Sequence, residues 1–148
     1  MTNIDLFNRV TLTVFDRLYS SFPSPINLSV ADIALSVVPE KDNLGEENSS
    51  LYAVGDAIDF LAKEGFLTHM GIYMDGSDFL RARLTLKGLT ILGTPTSLEE
   101  KRSLIDNIRS ALASGAKESG AETIKLLTQA AFSSALAAGP ALLSKLHV

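Results

Sequence analysis

The chain has two histidines, His69 and His147, and no cysteine, so thiolate catalysis, disulfides and Cys-based zinc sites are ruled out. A Ser-His-acid arrangement would need either the penultimate residue or His69, a lone histidine without ligand-spaced neighbours that reads as structural. The strings G-x-G-x-x-G, G-x-x-x-x-G-K-[ST], H-E-x-x-H and G-x-S-x-G do not occur. The paired carboxylates Glu46-Glu47 and Glu99-Glu100 fall in a polar loop and at a helix start, where solvation and the helix dipole account for them. The chain therefore reads as non-enzymatic, with no catalytic residue, metal or cofactor.

Two surface constellations remain. Leu51, Val54, Ile58 and Leu61 recur at helical spacing, and the opposite side of that helix, near 50–64, carries Tyr52, Asp56, Asp59, Phe60 and Lys63. Carboxylates facing a nucleic acid meet phosphates, and an aspartate at most accepts from a cytosine amine. Tyrosine and phenylalanine are enriched at protein interfaces, so Tyr52, Asp56, Asp59 and Phe60 are the candidate protein-interaction residues. The same side chains also suit a plainer reading, with Phe60 widening the core stripe and the aspartates solvated. The second constellation is cationic: Arg81 and Arg83 alternate along one strand and Lys87 follows. Such a set suits phosphate contacts, and a solvated strand face carries the same residues.

The elements that position these groups can be read in order. Ile4, Phe7, Val10, Val14, Leu18 and Phe22 predict a first helix over 4–21, ended by Pro23 and Pro25. Ile26-Asn27-Leu28 reads as a short strand. Ser29 then caps a second helix to Val38, with Asp32 at its third position, and Pro39 stops it. The acidic run 40–50 reads as a loop. After the third helix, Gly65 stands where a C-cap is expected, and 66–73 and 79–86 form a hairpin around Asp75-Gly76-Ser77. Beyond Gly93-Thr94-Pro95 the capping box Ser97-Leu98-Glu99-Glu100 predicts a helix over 98–113. The repeat Ser114-Gly115-Ala116-Lys117-Glu118, Ser119-Gly120-Ala121-Glu122-Thr123 predicts a break, and the uncharged run 126–144 is expected to be interrupted at Gly139-Pro140.

This order resembles the winged-helix family, and Leu84-Thr85-Leu86-Lys87-Gly88-Leu89 is similar to the "LTxKG" string that closes the wing in many bacterial regulators. The resemblance implies a mainly α fold with a small β-hairpin wing over residues 1–95. Residues 96–148 form a C-terminal helical extension suited to oligomerisation, as in PadR-like regulators, and the family resemblance implies transcriptional control. Charge runs against nucleic acid. Residues 1–95 hold seven Lys/Arg against twelve Asp/Glu, and residues 96–148 hold six against five, so the DNA-binding-like part is the acidic part. Two functions follow: a protein-interaction module that self-associates through its C-terminal helices, or a dimeric DNA-binding regulator that uses Arg81, Arg83 and Lys87. The N-terminus lacks the features of a signal peptide, and a cytoplasmic location is expected. Residues 126–144 suit packing on the domain or on a second copy better than contact with a membrane.

Overall fold

The structure is a computed structural model that describes residues 1–39, 47–95 and 102–146, without the side chains of 47, 48 and 138–146. It is mainly helical, with a small antiparallel sheet. The elements run α1 (Asn3–Ser21), β1 (Ile26–Ser29), α2 (Val30–Val37), α3 (Glu47–Lys63), β2 (Leu67–Thr68), β3 (Asp78–Leu84), α4 (Leu86–Leu92), α5 (Leu104–Leu112) and α6 (Ala121–Leu146).

Local chemistry accounts for most of these boundaries. Thr2 caps α1, accepting from the Asp5 amide at 3.1 Å, and Ser29 caps α2, accepting from the Asp32 amide at 3.2 Å. Helix α3 ends at Gly65, whose φ of 85° is costly for any residue with a Cβ. There the Gly65 amide donates to the Ala62 carbonyl and the Phe66 amide to that of Leu61, both at 3.0 Å.

The sheet order is β1-β3-β2. Strand β1 pairs with β3 through Ile26↔Ala82 and Leu28↔Phe79, with a register shift between them. Arg81 lies in that irregularity at φ 50°, its amide donating to Asn27 Oδ1 at 2.9 Å. The expected alternation along β3 therefore holds only from Arg81 onward, with Ala82 and Leu84 buried and Arg81 and Arg83 exposed. At the hairpin tip, the Ser77 amide donates to Asp75 Oδ1 at 3.0 Å and Gly76 has φ 74°.

One hydrophobic core runs through both parts of the chain. It joins Val10, Val14, Leu18, Ile33, Val54, Ile58, Leu61, Phe79 and Leu84 to Leu104, Ile105, Ile108, Ile124 and Ala131. Helix α6 lies against α1. Phe132 stacks on Phe7 at 6.0 Å and meets Phe66 at 5.4 Å, while Phe66 in turn meets Phe15 at 5.7 Å. The turn between α5 and α6 is pinned by buried Arg9, which pairs with Asp5 at 3.0 Å and donates to the Ala116 carbonyl at 2.6 Å. Arg109 ties α5 to α1 through Asp16 at 2.9 Å and Ser20 at 2.8 Å.

Several expectations are corrected. Helix α5 begins at Leu104, because Leu104 is held by the Thr94 carbonyl at 2.9 Å and Ser103 forms the cap with Asp106. The expected capping box at 97–100 lies outside the described residues, as does 40–46 of the acidic run expected to be a loop over 40–50; the rest of that run, 47–50, is the first turn of α3, which starts at Glu47 rather than near Ser50. The break at the pentapeptide repeat is present, with Gly115 at φ 105°. No break occurs at Gly139-Pro140, since α6 continues to Leu146. A proline removes one helical hydrogen bond but does not end a helix whose neighbouring residues favour it, and the surrounding alanines do. Ile4, placed on the core stripe, is 60% exposed.

Candidate functional site

The outward side of α3 carries the four residues named from sequence. Tyr52 is 75% exposed and Phe60 48% exposed; Asp56 is exposed and Asp59 half-buried. Val54, Ile58 and Leu61 face the core, which fixes the outward set by helical geometry. Asp59 pairs with Lys63 at 2.8 Å, one turn on. This hydrogen bond and charge hold the Lys63 ammonium above its ordinary pKa.

These residues do not form one surface. Tyr52, Asp56 and Asp59 line a groove of about 570 Å3 between α2, α3 and the hairpin, together with Val30, Leu51, Ile72, Asp75 and Phe79. Phe60 lies in a second groove, of about 440 Å3, between α1 and α3, with Ile4, Leu6, Phe7 and Ala57. There the Phe60 ring meets Phe7 edge-on at 5.5 Å. Asp56 lines both grooves and so stands on the ridge between them. Phe60 therefore extends the aromatic packing, as its plainer reading expected, and leaves about half of its surface in water.

The hairpin contributions to the first groove, Ile72 and Asp75, were not anticipated. Asp75 carries a turn signal, and only the tertiary placement of the hairpin beside α3 brings it to the groove. Hydrogen bonds from Ser77, first its side chain and then its backbone amide, hold the Asp75 carboxyl below its ordinary value. Among the described residues no group of three or more His, Cys, Asp or Glu side chains could hold a metal ion. His69 accepts from the Gly71 amide at 3.0 Å and lies edge-on to Phe79 at 5.1 Å, a structural arrangement.

The cationic set divides as well. Arg81 and Arg83 are exposed, and among the described residues neither guanidinium has a hydrogen-bond or ion-pair partner. Lys87 is engaged: Nζ donates to the Glu64 carbonyl at 2.7 Å and lies 4.5 Å from the centre of the Phe66 ring. The neighbouring residues act on the same turn. Thr85 Oγ1 donates to the Gly65 carbonyl at 2.6 Å and accepts from the Gly88 amide at 3.2 Å. A Cβ on Gly88 would clash with the Phe66 carbonyl oxygen. In this chain Thr85, Lys87 and Gly88 together satisfy and close the C-terminal end of α3.

No family model matches this chain, and searches of curated proteins and of solved structures return no match. No helix among the described residues is long and apolar enough to cross a membrane.

Proposed function

We propose that the chain is a non-enzymatic, cytoplasmic protein-interaction module of the winged-helix type, which docks a partner through the outward side of α3. The carrying observation is the groove beside Tyr52, whose charged lining residues, Asp56, Asp59 and Asp75, are all carboxylates. A surface of this sign repels phosphates, and an exposed tyrosine beside an apolar floor suits a protein contact. The winged-helix type is supported by a strand between the first two helices that pairs with the second strand of the hairpin. Self-association through the C-terminal helices belongs to the same proposal, with Leu126 and Leu136 of α6 56% and 78% exposed.

The second reading, a dimeric DNA-binding regulator, rests on two arginines without a partner among the described residues, Arg81 and Arg83. Retention on short DNA duplexes at low salt separates the two. The interaction reading expects no retention. Salt-sensitive retention that the Arg81→Ala and Arg83→Ala double variant weakens on all sequences would replace it with the regulator reading.

A further inference from the structure

We propose that the groove between α3 and the β2–β3 hairpin receives a cationic segment of a partner protein, anchored by an apolar side chain. This rests on the interaction-module reading and adds the chemistry of the partner. The groove combines buried apolar lining, Val30 and Phe79, with Tyr52 and Ile72 exposed beside it. Asp59 is already paired with Lys63. Asp56 and Asp75 have no ion-pair contact among the described residues; Lys63, in contact with Asp59, reaches Asp56 only through space, so the groove keeps a net negative charge around an apolar centre.

Each other class of occupant meets a physical obstacle. The carboxylates do not gather as a metal-binding group among the described residues, and a nucleic acid would bring like charge to Asp56 and Asp75. A purely apolar segment would strip water from both carboxylates without replacing it, and an unpaired buried charge is costly. A segment with lysine or arginine on either side of a bulky apolar residue satisfies all three parts of the lining at once. Complementary charge of this kind acts chiefly on specificity and association rate.

The test is an amide chemical-shift titration of the full chain with three short blocked peptides. One has a central Phe-Leu pair flanked by lysines, the second the same pair flanked by glutamates, and the third a Gly-Ser centre flanked by lysines. The lysine-flanked Phe-Leu peptide is expected to bind best and to shift the amides of Tyr52, Asp56, Ile72, Asp75 and Gly76. The double variant Asp56→Asn with Asp75→Asn keeps the side-chain oxygen that Ser77 uses, and its circular dichroism should be unchanged. Its affinity for that peptide should fall about three- to tenfold, the range that two exposed ion pairs supply, and added salt should weaken wild-type binding.

The proposal is overturned by equal or stronger binding of the glutamate peptide, or by undiminished affinity in the double variant. It is also overturned by shifts confined to the α1/α3 groove or α6, or by no binding of any peptide. A concentration-dependent mass increase abolished by the double variant would overturn it too, by assigning the groove to a second copy. Preference for the glutamate peptide in the same groove would leave the interaction module standing, whereas retention on DNA would remove both.

Discussion

Gly88, in the first turn of α4, packs against the backbone of the turn that follows α3. Alanine is the better helix former by about 1 kcal/mol, yet at this position its Cβ would clash with the Phe66 carbonyl oxygen and stand 3.1 Å from Leu84 Cδ2. Backbone cannot yield as a flexible side chain can, so Gly88→Ala should cost about 2–4 kcal/mol in urea unfolding; a neutral result would show that α4 shifts freely. Lys87→Met removes a hydrogen bond to a carbonyl that α3 leaves open, and should cost about 1 kcal/mol without changing the affinity for the cationic peptide. Asp106 makes a pH-dependent contribution. Hydrogen bonds from the Ser103 amide and hydroxyl, at 3.1 Å and 3.0 Å, hold its carboxyl below the ordinary value of 3.8. A lowered folded pKa means stabilisation that is complete above the unfolded value and lost as pH falls through the folded one. The gap in thermal midpoint between wild type and Asp106→Asn should therefore close as pH falls through the ordinary carboxylate value and below it. A gap independent of pH would assign the cap to hydrogen-bond geometry alone.

At the scale of elements, the first three helices and the hairpin were legible because their signals are local: a cap at Ser29, a glycine at 65, a turn at 75–77 and a stripe through Val54 and Ile58. Local signals misplace an element where a distant partner decides. The α5 cap is the local box of Ser103 and Asp106, and Leu104 beside it is also held by the Thr94 carbonyl, a contact across a connection that no spacing rule describes. Likewise, Ile72 and Asp75 reach the groove only through the way β3 pairs with β1, and Lys87 looked free because its acceptor is a backbone carbonyl of another element. Helix α6 was read as docking on the domain or on a second copy, and its described part takes the first course through Phe132. Losing that ring's contacts with Phe7 and Phe66 should cost Phe132→Ala about 2–3 kcal/mol, below the figure for a fully buried ring because Phe132 is half-buried. Hydrogen exchange on α6 should rise in this variant before exchange on α2 does; equal rises would mean that the two helices open together.

For the whole molecule, the continuity of the core decides whether residues 1–94 can stand alone. Leu104, Ile105, Ile108 and Ile124 are each at most 2% exposed, and burying a side chain of this size contributes about 1.5–3 kcal/mol. Removing these four alone takes away an amount comparable to the roughly 5–15 kcal/mol that keeps an ordinary domain folded. Truncation also uncovers Phe7 on α1 and leaves Arg9 without its carbonyl acceptor at Ala116. A chain ended at Thr94 should therefore unfold with low cooperativity or associate through the bared face of α1, and calorimetry with light scattering on both lengths reads this directly. The outcome also bears on function: if the C-terminal helices complete the fold of each copy, self-association has to use the outer side of α6, where Leu126 and Leu136 stand. Leu126→Glu with Leu136→Glu should then reduce an assembled full-length protein to monomer with its circular dichroism unchanged and its thermal midpoint no longer dependent on concentration. A full-length protein that is already monomeric at high concentration would restrict α5 and α6 to completing the core.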